Sequence, residues 1–394
     1  MDNPRDYIGW LGDYGFAAVP FNEVDALILC TISYFDLKPV FAADPARAHS
    51  LRECLGMAER GEAVYHALSI HDLDYNALLA EAARSRRFGA LRMLDYEDRT
   101  RPDPPLQFSA VRFDDVTGFS FLAYRGTDDT IAGWEEDFMI SFTHTEAQEL
   151  ALEYARRNAE SGRRLYLGGH SKGGNLALYA ACRLERDLWR RVERVYMLDG
   201  PGLCPEVMDA ASLKRALERT SCVRPVFSIV GKLFDAKAAD ARIVRSSAFN
   251  LLQHSPGSWG VDHGRLALAA EHDPLSRRIN ETLQLWIDNI PQRDRAVFVK
   301  ELFAALSADG ATTLTDLSRA GLAGILAVLH RMRASSRVTR VTAAELPLRA
   351  LLGEYYDDLV GRGLLARLGR SGEERGAEER PADVEAPEDL HKTD

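Results

Sequence analysis

Apolar residues at helical spacing dominate about the first 95 residues of the chain. The clearest helix signal starts at Asn22, a residue type that caps helices, and continues through an acidic first turn to apolar positions as far as Phe35. Segments 46–60 and 72–86 repeat the helical spacing, and the second is rich in Ala, Leu and Glu. The pattern therefore predicts a helical amino-terminal segment.

The pattern changes after a proline-rich turn at residues 102–105. Alternating apolar positions at 107–113 and an apolar run at 119–124 predict a β-hairpin. Beyond it we predict helices at 145–160, 174–185 and 209–219, and strands at 164–168, 192–198, 223–230 and 241–246. This order predicts an α/β fold whose mostly parallel sheet is flanked by helices.

The carboxyl-terminal part returns to helical spacing, with helices predicted at 274–290, 293–308, 313–332 and 343–359. Residues 371–394 are rich in Glu, Pro and Arg without apolar periodicity, which predicts disorder. We therefore expect a helical segment (1–100) packed on an α/β core (101–262), a helical extension (263–370) and a disordered acidic tail (371–394).

Charge and hydropathy narrow the classes of partner. The 394 residues carry a formal net charge of −10, and residues 371–394, with nine acids and three bases, account for −6 of it. The chain lacks the basic composition typical of nucleic-acid binding, so we expect no nucleic-acid partner. No apolar stretch approaches the ~18 residues of a membrane span, and the amino terminus is acidic where a signal peptide is basic. These features predict a cytoplasmic protein without stable membrane insertion.

The cysteines are widely spaced and form no C-x-x-C pair, which indicates neither a disulfide framework nor a zinc cluster. They are Cys30, Cys54, Cys182, Cys204 and Cys222. We expect reduced, mostly buried thiols and no metal site.

The most informative stretch is the G-x-S-x-G sequence formed by Gly169, Ser171 and Gly173, where an apolar strand gives way to a predicted helix. A serine nucleophile on such a sharp turn needs glycine on either side, because a Cβ there would clash. Ser171 Oγ is then expected above the sheet, at the positive end of the following helix. A glycine-rich corner chosen only for packing has the same pattern. A phosphate-binding G-x-x-x-x-G-K-[ST] loop is not matched, because Lys172 precedes Gly173.

A serine nucleophile needs a general base, and His254 is the histidine that follows the last predicted strand within a loop. His263 and His272 fall in or beside the next helical region, where a solvated surface histidine is the simpler interpretation. His170 lies inside the turn and is interpreted as a packing or hydrogen-bonding neighbour of Ser171. The expected chain order of serine, acid and histidine therefore favours His254.

Two aspartates compete for the role of the acid that orients this histidine. Asp199 ends the strand at 192–198 and precedes a tight Gly-Pro-Gly turn at the carboxyl edge of the sheet, where active-site residues gather. Asp235 follows the next predicted strand and has the position more usual for this fold. Aspartates also form turns and cap helices without any catalytic role. The rigid turn favours Asp199, and Asp235 stays open as the alternative.

Backbone N–H groups are expected to stabilise the oxyanion of an acyl-transfer reaction. One belongs to Lys172, directly after the nucleophile, and a second is expected on the loop after strand 119–124, where Thr127 is the candidate. Arg125 and Asp137 flank this loop, and we expect them to form an ion pair that holds the donor in place. The plainer interpretation is a surface pair of small energetic value.

At these residues the chain resembles the class 3 lipases. Their F-R-G-T pattern followed by W-x-x-D is similar to residues 124–127 with Trp134 and Asp137, and their G-H-S-x-G-G turn matches residues 169–174. The chain looks closer still to a bacterial family of uncharacterised lipase-like α/β-hydrolase proteins, over roughly residues 5–310. The shared motifs are P-F-N-E-V-D (20–25), R-G-T-D-D-T (125–130), G-H-S-K-G-G-N-L-A (169–177), D-G-P-G (199–202) and Q-H followed by S-W (253–254 and 258–259).

The resemblance implies an α/β-hydrolase fold with Ser171 and His254 in the nucleophile and base positions. The expected function is a serine hydrolase that cleaves an ester or lipid-like small molecule through a Ser-His-Asp triad and an acyl-enzyme, with no cofactor. The alternative is a non-catalytic member of the fold that serves as an interaction or ligand-binding module, since a fold alone does not prove activity. Lys172 replaces the Leu common in lipases, which weakens the expectation of a lipid-facing entrance.

Overall fold

The computed structural model describes residues 2–65, 74–102, 105–127, 139–140, 143–233, 241–277, 279–281 and 292–308, together with 328 and 331. All of them belong to one compact unit, Met1–Glu345. Most of the helix predicted at 313–332, the whole of that at 343–359 and the tail at 371–394 lie outside the described residues.

All the amino-terminal helices except α3, the helix at Lys38–Phe41, begin where a side chain accepts a hydrogen bond from one of the first backbone N–H groups. Asn22 and Asp25 form a reciprocal capping box at the start of the second helix. Asp25 also forms a fully buried ion pair with Arg87, at 2.6 Å, which ties this helix to the sixth. The helices of this segment are α1 (Pro4–Leu11), α2 (Glu23–Ile32), α3 (Lys38–Phe41), α4 (Leu51–Glu59), α5 (Tyr75–Arg84) and α6 (Arg86–Gly89).

Within the described residues, nine strands form the main sheet. They are β1 (His49–Ser50), β2 (Arg92–Pro102), β3 (Pro105–Asp114), β4 (Phe119–Tyr124), β5 (Arg164–His170), β6 (Val192–Leu198), β7 (Thr220–Pro225), β8 (Arg242–Val244) and β11 (Leu268–Ala269), in this spatial order. Strands β4 to β8 run parallel, while β1 to β3 and β11 are antiparallel to their neighbours. The short strands β9 (Val261–Asp262) and β10 (Arg265–Leu266) form a separate pair.

Helices cover both faces of the sheet. The later helices are α7 (Glu146–Ala159), α8 (Lys172–Arg183), α9 (Arg186–Trp189), α10 (Ala210–Leu217) and α11 (Gln292–Ser307). The side chains of β5 point alternately to opposite faces. Tyr166 stacks on Phe21 of the amino-terminal segment, with ring centroids 4.9 Å apart, while Gly169 packs against Gly173 of α8. The result is a three-layer α/β sandwich whose core lies on both sides of β4 to β6.

Several elements differ from the sequence prediction. The helical extension was expected from residue 263, but β10 and β11 lie there, and β11 is extended because it pairs antiparallel with β8 at the edge of the main sheet. Helix was expected to about residue 95, but β2 begins at Arg92 and pairs antiparallel with β3. Its sequence is rich in charge, so its extended shape depends on hydrogen bonds to β3 rather than on its own apolar pattern. The strand predicted at 223–230 is β7, which ends at Pro225, and a 3₁₀ turn follows at Val230–Lys232. This departure from the sheet brings residues 228 and 231 against the end of β6.

The carboxyl-terminal helices are described in part. Helix α11 corresponds to the helix predicted at 293–308, and residues 274–277 and 279–281 are helical as predicted. Among the described residues, no helix has the length and apolar character needed to cross a membrane.

Candidate active site

Ser171 stands between β5 and α8 in a backbone conformation that side-chain-bearing residues rarely adopt, with φ of 57°. A Cβ on Gly169 would lie less than 3.0 Å from the backbone of Gly173, and a Cβ on Gly173 would lie equally close to the carbonyl of Tyr124. The Ser171 N–H donates to the carbonyl of Leu198, at 2.9 Å, and thus joins the turn to β6. The two glycines are therefore required sterically, and the serine sits on a tight strand-to-helix elbow.

Asp199 and His254 meet in the interior of the protein. His254 ends a 3₁₀ turn, Asn250–His254, and its Nδ1 lies 2.6 Å from Asp199 Oδ2. Asp199 follows β6 with φ of 45°, a conformation that aspartate tolerates better than most residues. Its other oxygen, Oδ1, accepts hydrogen bonds from Ser228 Oγ at 2.6 Å and from the Gly231 N–H at 3.2 Å. Both carboxylate oxygens thus have partners.

The charge state of Asp199 follows from these contacts. Burial raises the pKa of its carboxyl, but the hydrogen bond and charge of His254, together with the hydrogen bond from Ser228, outweigh burial and lower the pKa overall. Asp199 is therefore ionised at neutral pH and accepts the Nδ1–H of His254.

His170 links the elbow to the loop that carries His254. Its Nε2 lies 2.7 Å from the His254 carbonyl oxygen, which only accepts, so Nε2 carries the proton. Its Nδ1 then accepts from the Tyr34 hydroxyl, at 2.9 Å. Burial, with a smaller effect of the neighbouring His254, lowers the pKa of His170 to about 3. His170 is thus neutral, and its ring hydrogen-bonds both to the His254 backbone and to Tyr34. Its ring centroid lies 4.5 Å from that of His254.

The competing candidates lie elsewhere. His263 is 96% exposed and contacts Asp262 at 2.5 Å. Nδ1 of His272 bonds to the backbone carbonyl of Val226, at 3.2 Å. Asp235, the alternative acid, lies outside the described residues.

Of the loop after β4, the structure describes residues 125–127. Thr127 is buried there, while Trp134 and Asp137 lie outside the described residues. Arg125 forms its ion pair with Asp98 of β2, at 3.0 Å, and the predicted Arg125–Asp137 pair stays a prediction. Sequence reasoning missed Asp98 because β2 was not recognised as a strand.

Lys172 directly follows Ser171 in the chain, but its ammonium group lies against β3. Its side chain is fully buried at the start of α8, and Nζ donates to Gln107 Oε1 of β3, at 3.4 Å. The cation beside Ser171 is therefore directed toward β3. Gln107 had no distinguishing signal in the sequence beyond its place in an alternating strand.

Asn175, one turn along α8, is a positioning residue that sequence reasoning did not single out. Its side-chain amide donates to the carbonyls of Pro201 and Gly202, at 3.1 and 3.0 Å, and its oxygen accepts from Gln148 at 3.0 Å. These bonds hold the loop that begins at Asp199. The signal was available, because Asn175 belongs to the G-H-S-K-G-G-N-L-A motif.

The Q-H and S-W motif has a similar positioning role. Trp259 is fully buried, and its indole N–H donates to the Gln253 carbonyl, at 2.9 Å. Gln253 in turn accepts the Phe227 N–H through its side chain, at 2.9 Å. Ser255 Oγ lies 2.7 Å from the Tyr75 hydroxyl of α5. The turn that carries His254 is thereby held from both sides.

A mostly parallel sheet with a serine elbow after β5, and with an aspartate and a histidine on loops at the same edge, defines an α/β-hydrolase fold. The chain belongs to the Mbeg1-like family, whose model matches residues 82–304. None of the curated proteins matches the sequence.

Three solved structures are similar to this chain. The chain is 13% identical to M37 lipase, over 54% of this chain and 69% of that one, with a TM-score of 0.34. It is 14% identical to a mutant form of MDLA from Penicillium cyclopium, over 61% and 82%, with a TM-score of 0.38. It is also 14% identical to a Rhizomucor miehei lipase propeptide complex, over 61% and 71%, with a TM-score of 0.33.

Proposed function

We propose that the protein is a serine hydrolase of carboxylic esters, with Ser171 as nucleophile, His254 as general base and Asp199 as the acid that orients the histidine. The observation that carries the proposal is the buried 2.6 Å contact between His254 Nδ1 and Asp199, beside the elbow that presents Ser171. An Nδ1–H that donates to the carboxylate leaves Nε2 as the proton acceptor, which is the tautomer that a serine nucleophile requires.

The reaction proceeds in two acyl transfers. Ser171 Oγ attacks the ester carbonyl while its proton passes to His254 Nε2, and the backbone N–H groups of Thr127 and Lys172 stabilise the oxyanion. The leaving alkoxide takes the proton from His254 as the C–O bond breaks, which gives an acyl-enzyme and an alcohol. Water, deprotonated by His254, then attacks the acyl-enzyme and releases the carboxylic acid.

We also propose that the enzyme is cytoplasmic. It works without a metal or organic cofactor, because side chains and water supply every proton transfer above. The five cysteines are free and buried. Among the described residues, no group of three or more His, Cys, Asp or Glu side chains is arranged to hold a metal ion.

Labelling with a fluorescent fluorophosphonate tests the proposal, because this reagent reacts with an activated serine whatever the natural substrate is. We expect the wild-type protein to be labelled, and Ser171→Ala and His254→Ala to lose the label. His263→Ala is the matched histidine control and should label normally, since His263 is exposed. Failure of the folded wild-type protein to react would refute the hydrolase and favour the non-catalytic alternative.

A further inference from the structure

Ser228 is a hydrogen-bond donor to the proposed acid. Its Oγ donates to Asp199 Oδ1 at 2.6 Å, and both residues are almost fully buried. Ser228 lies beyond Pro225, where β7 ends, so its own N–H and carbonyl are outside the ladder of the sheet and need other partners. Whatever holds the main chain of Ser228 therefore also fixes the direction of its bond to Asp199.

Those partners come from a segment that follows the sheet in the chain. It comprises residues 272–277 and 279–281, is helical from residue 274, and is called the clamp segment. Ser276 Oγ accepts the Ser228 N–H at 3.1 Å and donates its own hydrogen to the Ser228 carbonyl at 2.7 Å. One buried hydroxyl thus bonds both main-chain groups of the residue that supports the acid.

Asn280 adds a second bond to the same carbonyl. Its Nδ2 donates to the Ser228 carbonyl at 2.6 Å and to the Ser276 carbonyl at 2.7 Å, which uses both hydrogens of the amide. Residues four positions apart lie on the same face of a helix, so Ser276 and Asn280 face Ser228 together. Ser276 is fully buried and Asn280 is 9% exposed. Buried polar side chains need such bonds, and here they converge on one main-chain unit.

The start of the clamp segment is attached to the same turn. The Asp273 N–H donates to the carbonyl of Val226, at 2.9 Å. Asp273 Oδ1 accepts the N–H groups of Leu275 and Ser276, at 2.8 and 3.1 Å, and so caps the helix. The cap fixes where the helix begins, which determines the face on which the Ser276 hydroxyl lies.

We propose that Ser276 and Asn280 are positioning residues for the reaction: by holding the main chain of Ser228, they align the hydrogen bond that Ser228 gives to Asp199. The proposal rests on the proposed function and adds to it a part of the chain beyond the sheet. A hydrogen bond to a carboxylate is strong only at short distance and good alignment. Displacement of Ser228 would leave Asp199 less firmly held and His254, which Asp199 orients, less well aligned with Ser171.

The test measures the rate constant of fluorophosphonate labelling at Ser171, with thermal unfolding on the same preparations. Ser276→Thr and Ser276→Val have nearly the same shape, but only threonine keeps the hydroxyl, so the Thr variant should label several times faster than the Val variant. Asn280→Leu, of similar size but without N–H groups, should slow labelling severalfold, within the limit of about tenfold expected for Ser228→Ala. Glu281→Gln, at an exposed position of the clamp segment, is the control and should keep the wild-type rate.

Double variants show whether the effect passes through Ser228. Ser228→Ala combined with Ser276→Val, or with Asn280→Leu, should label about as slowly as Ser228→Ala alone, because the bond to Asp199 is already absent. Effects that multiply in both double variants would overturn the proposal. Lower unfolding temperatures of the Val and Leu variants with wild-type labelling rates would also overturn it, since the two residues would then be structural only.

The wild-type protein separates this proposal from the one on which it rests. A wild-type protein that is labelled, with variants that label equally fast, would remove the positioning role and leave the hydrolase standing. A folded wild-type protein that is not labelled would refute the proposed function, and the positioning role with it.

Discussion

Replacing Asp199 by Asn is expected to leave the protein folded and to slow the reaction of Ser171 by about four orders of magnitude. The substitution keeps the shape of the side chain and removes its charge. Since one tenfold change in rate corresponds to about 1.4 kcal/mol, the loss amounts to roughly 5 kcal/mol of activation free energy.

The size of this effect follows from the contacts of the carboxylate. Asp199 Oδ1 accepts from Ser228 and from the Gly231 N–H, while Oδ2 faces His254 Nδ1. Because the Gly231 N–H can only donate, the amide oxygen of the variant stays on that side and its NH₂ group faces the histidine. Nδ1 must then accept, which places the imidazole proton on Nε2 and blocks proton transfer from Ser171.

The assay is the rate constant of fluorophosphonate labelling, with thermal unfolding to verify that the variant is folded. Ser228→Ala is the matched control, because it removes one hydrogen bond to Asp199 but keeps the carboxylate, and it should cost about tenfold at most. Labelling of D199N within tenfold of the wild-type rate would show that Asp199 does not orient the base, and would reopen the assignment of the acid.

Three further predictions concern the framework of the site. Gly173→Ala would place a Cβ against the Tyr124 carbonyl and should lower the free energy of unfolding by about 3 kcal/mol. Gly56→Ala, also in a helix but with its nearest neighbour 3.6 Å from the added Cβ, should raise it by about 0.5–1 kcal/mol; equal urea midpoints for the two variants would contradict the steric argument. Asn175→Ala should cost about 2 kcal/mol and slow labelling by loosening the loop after β6; unchanged labelling would show that this loop is held without it. Because the pKa of His170 is about 3 in the folded protein against 6.5 ordinarily, stability should fall as pH decreases from 6.5 toward 3, by up to about 1.4 kcal/mol per pH unit. His170→Gln should flatten this slope in urea denaturation, and an unchanged slope would refute the buried neutral histidine.

Some residues of the candidate site could be predicted from the sequence, and others could not. The elbow glycines could be predicted because the need for a missing Cβ is local, and the structure places Gly169 and Gly173 in contact. Asp199 and His254 could be nominated from their places after strands, but their 2.6 Å contact joins residues 55 positions apart. Asp98 could not be nominated, because its strand is charge-rich and its role arises only once β2 lies beside the loop that carries Arg125.

The sequence by itself determined the helical start, the alternation of strands and helices, and the elbow, because caps, apolar periodicity and glycine sterics act over a few residues. Only the tertiary structure decided that β2 is a strand, that Arg125 pairs with Asp98, and that the buried Lys172 is directed toward Gln107. Each of these depends on a hydrogen bond or ion pair to a group far away in the chain. Such partners leave no periodic trace in the sequence, because their proximity is set by the packing of whole strands and helices.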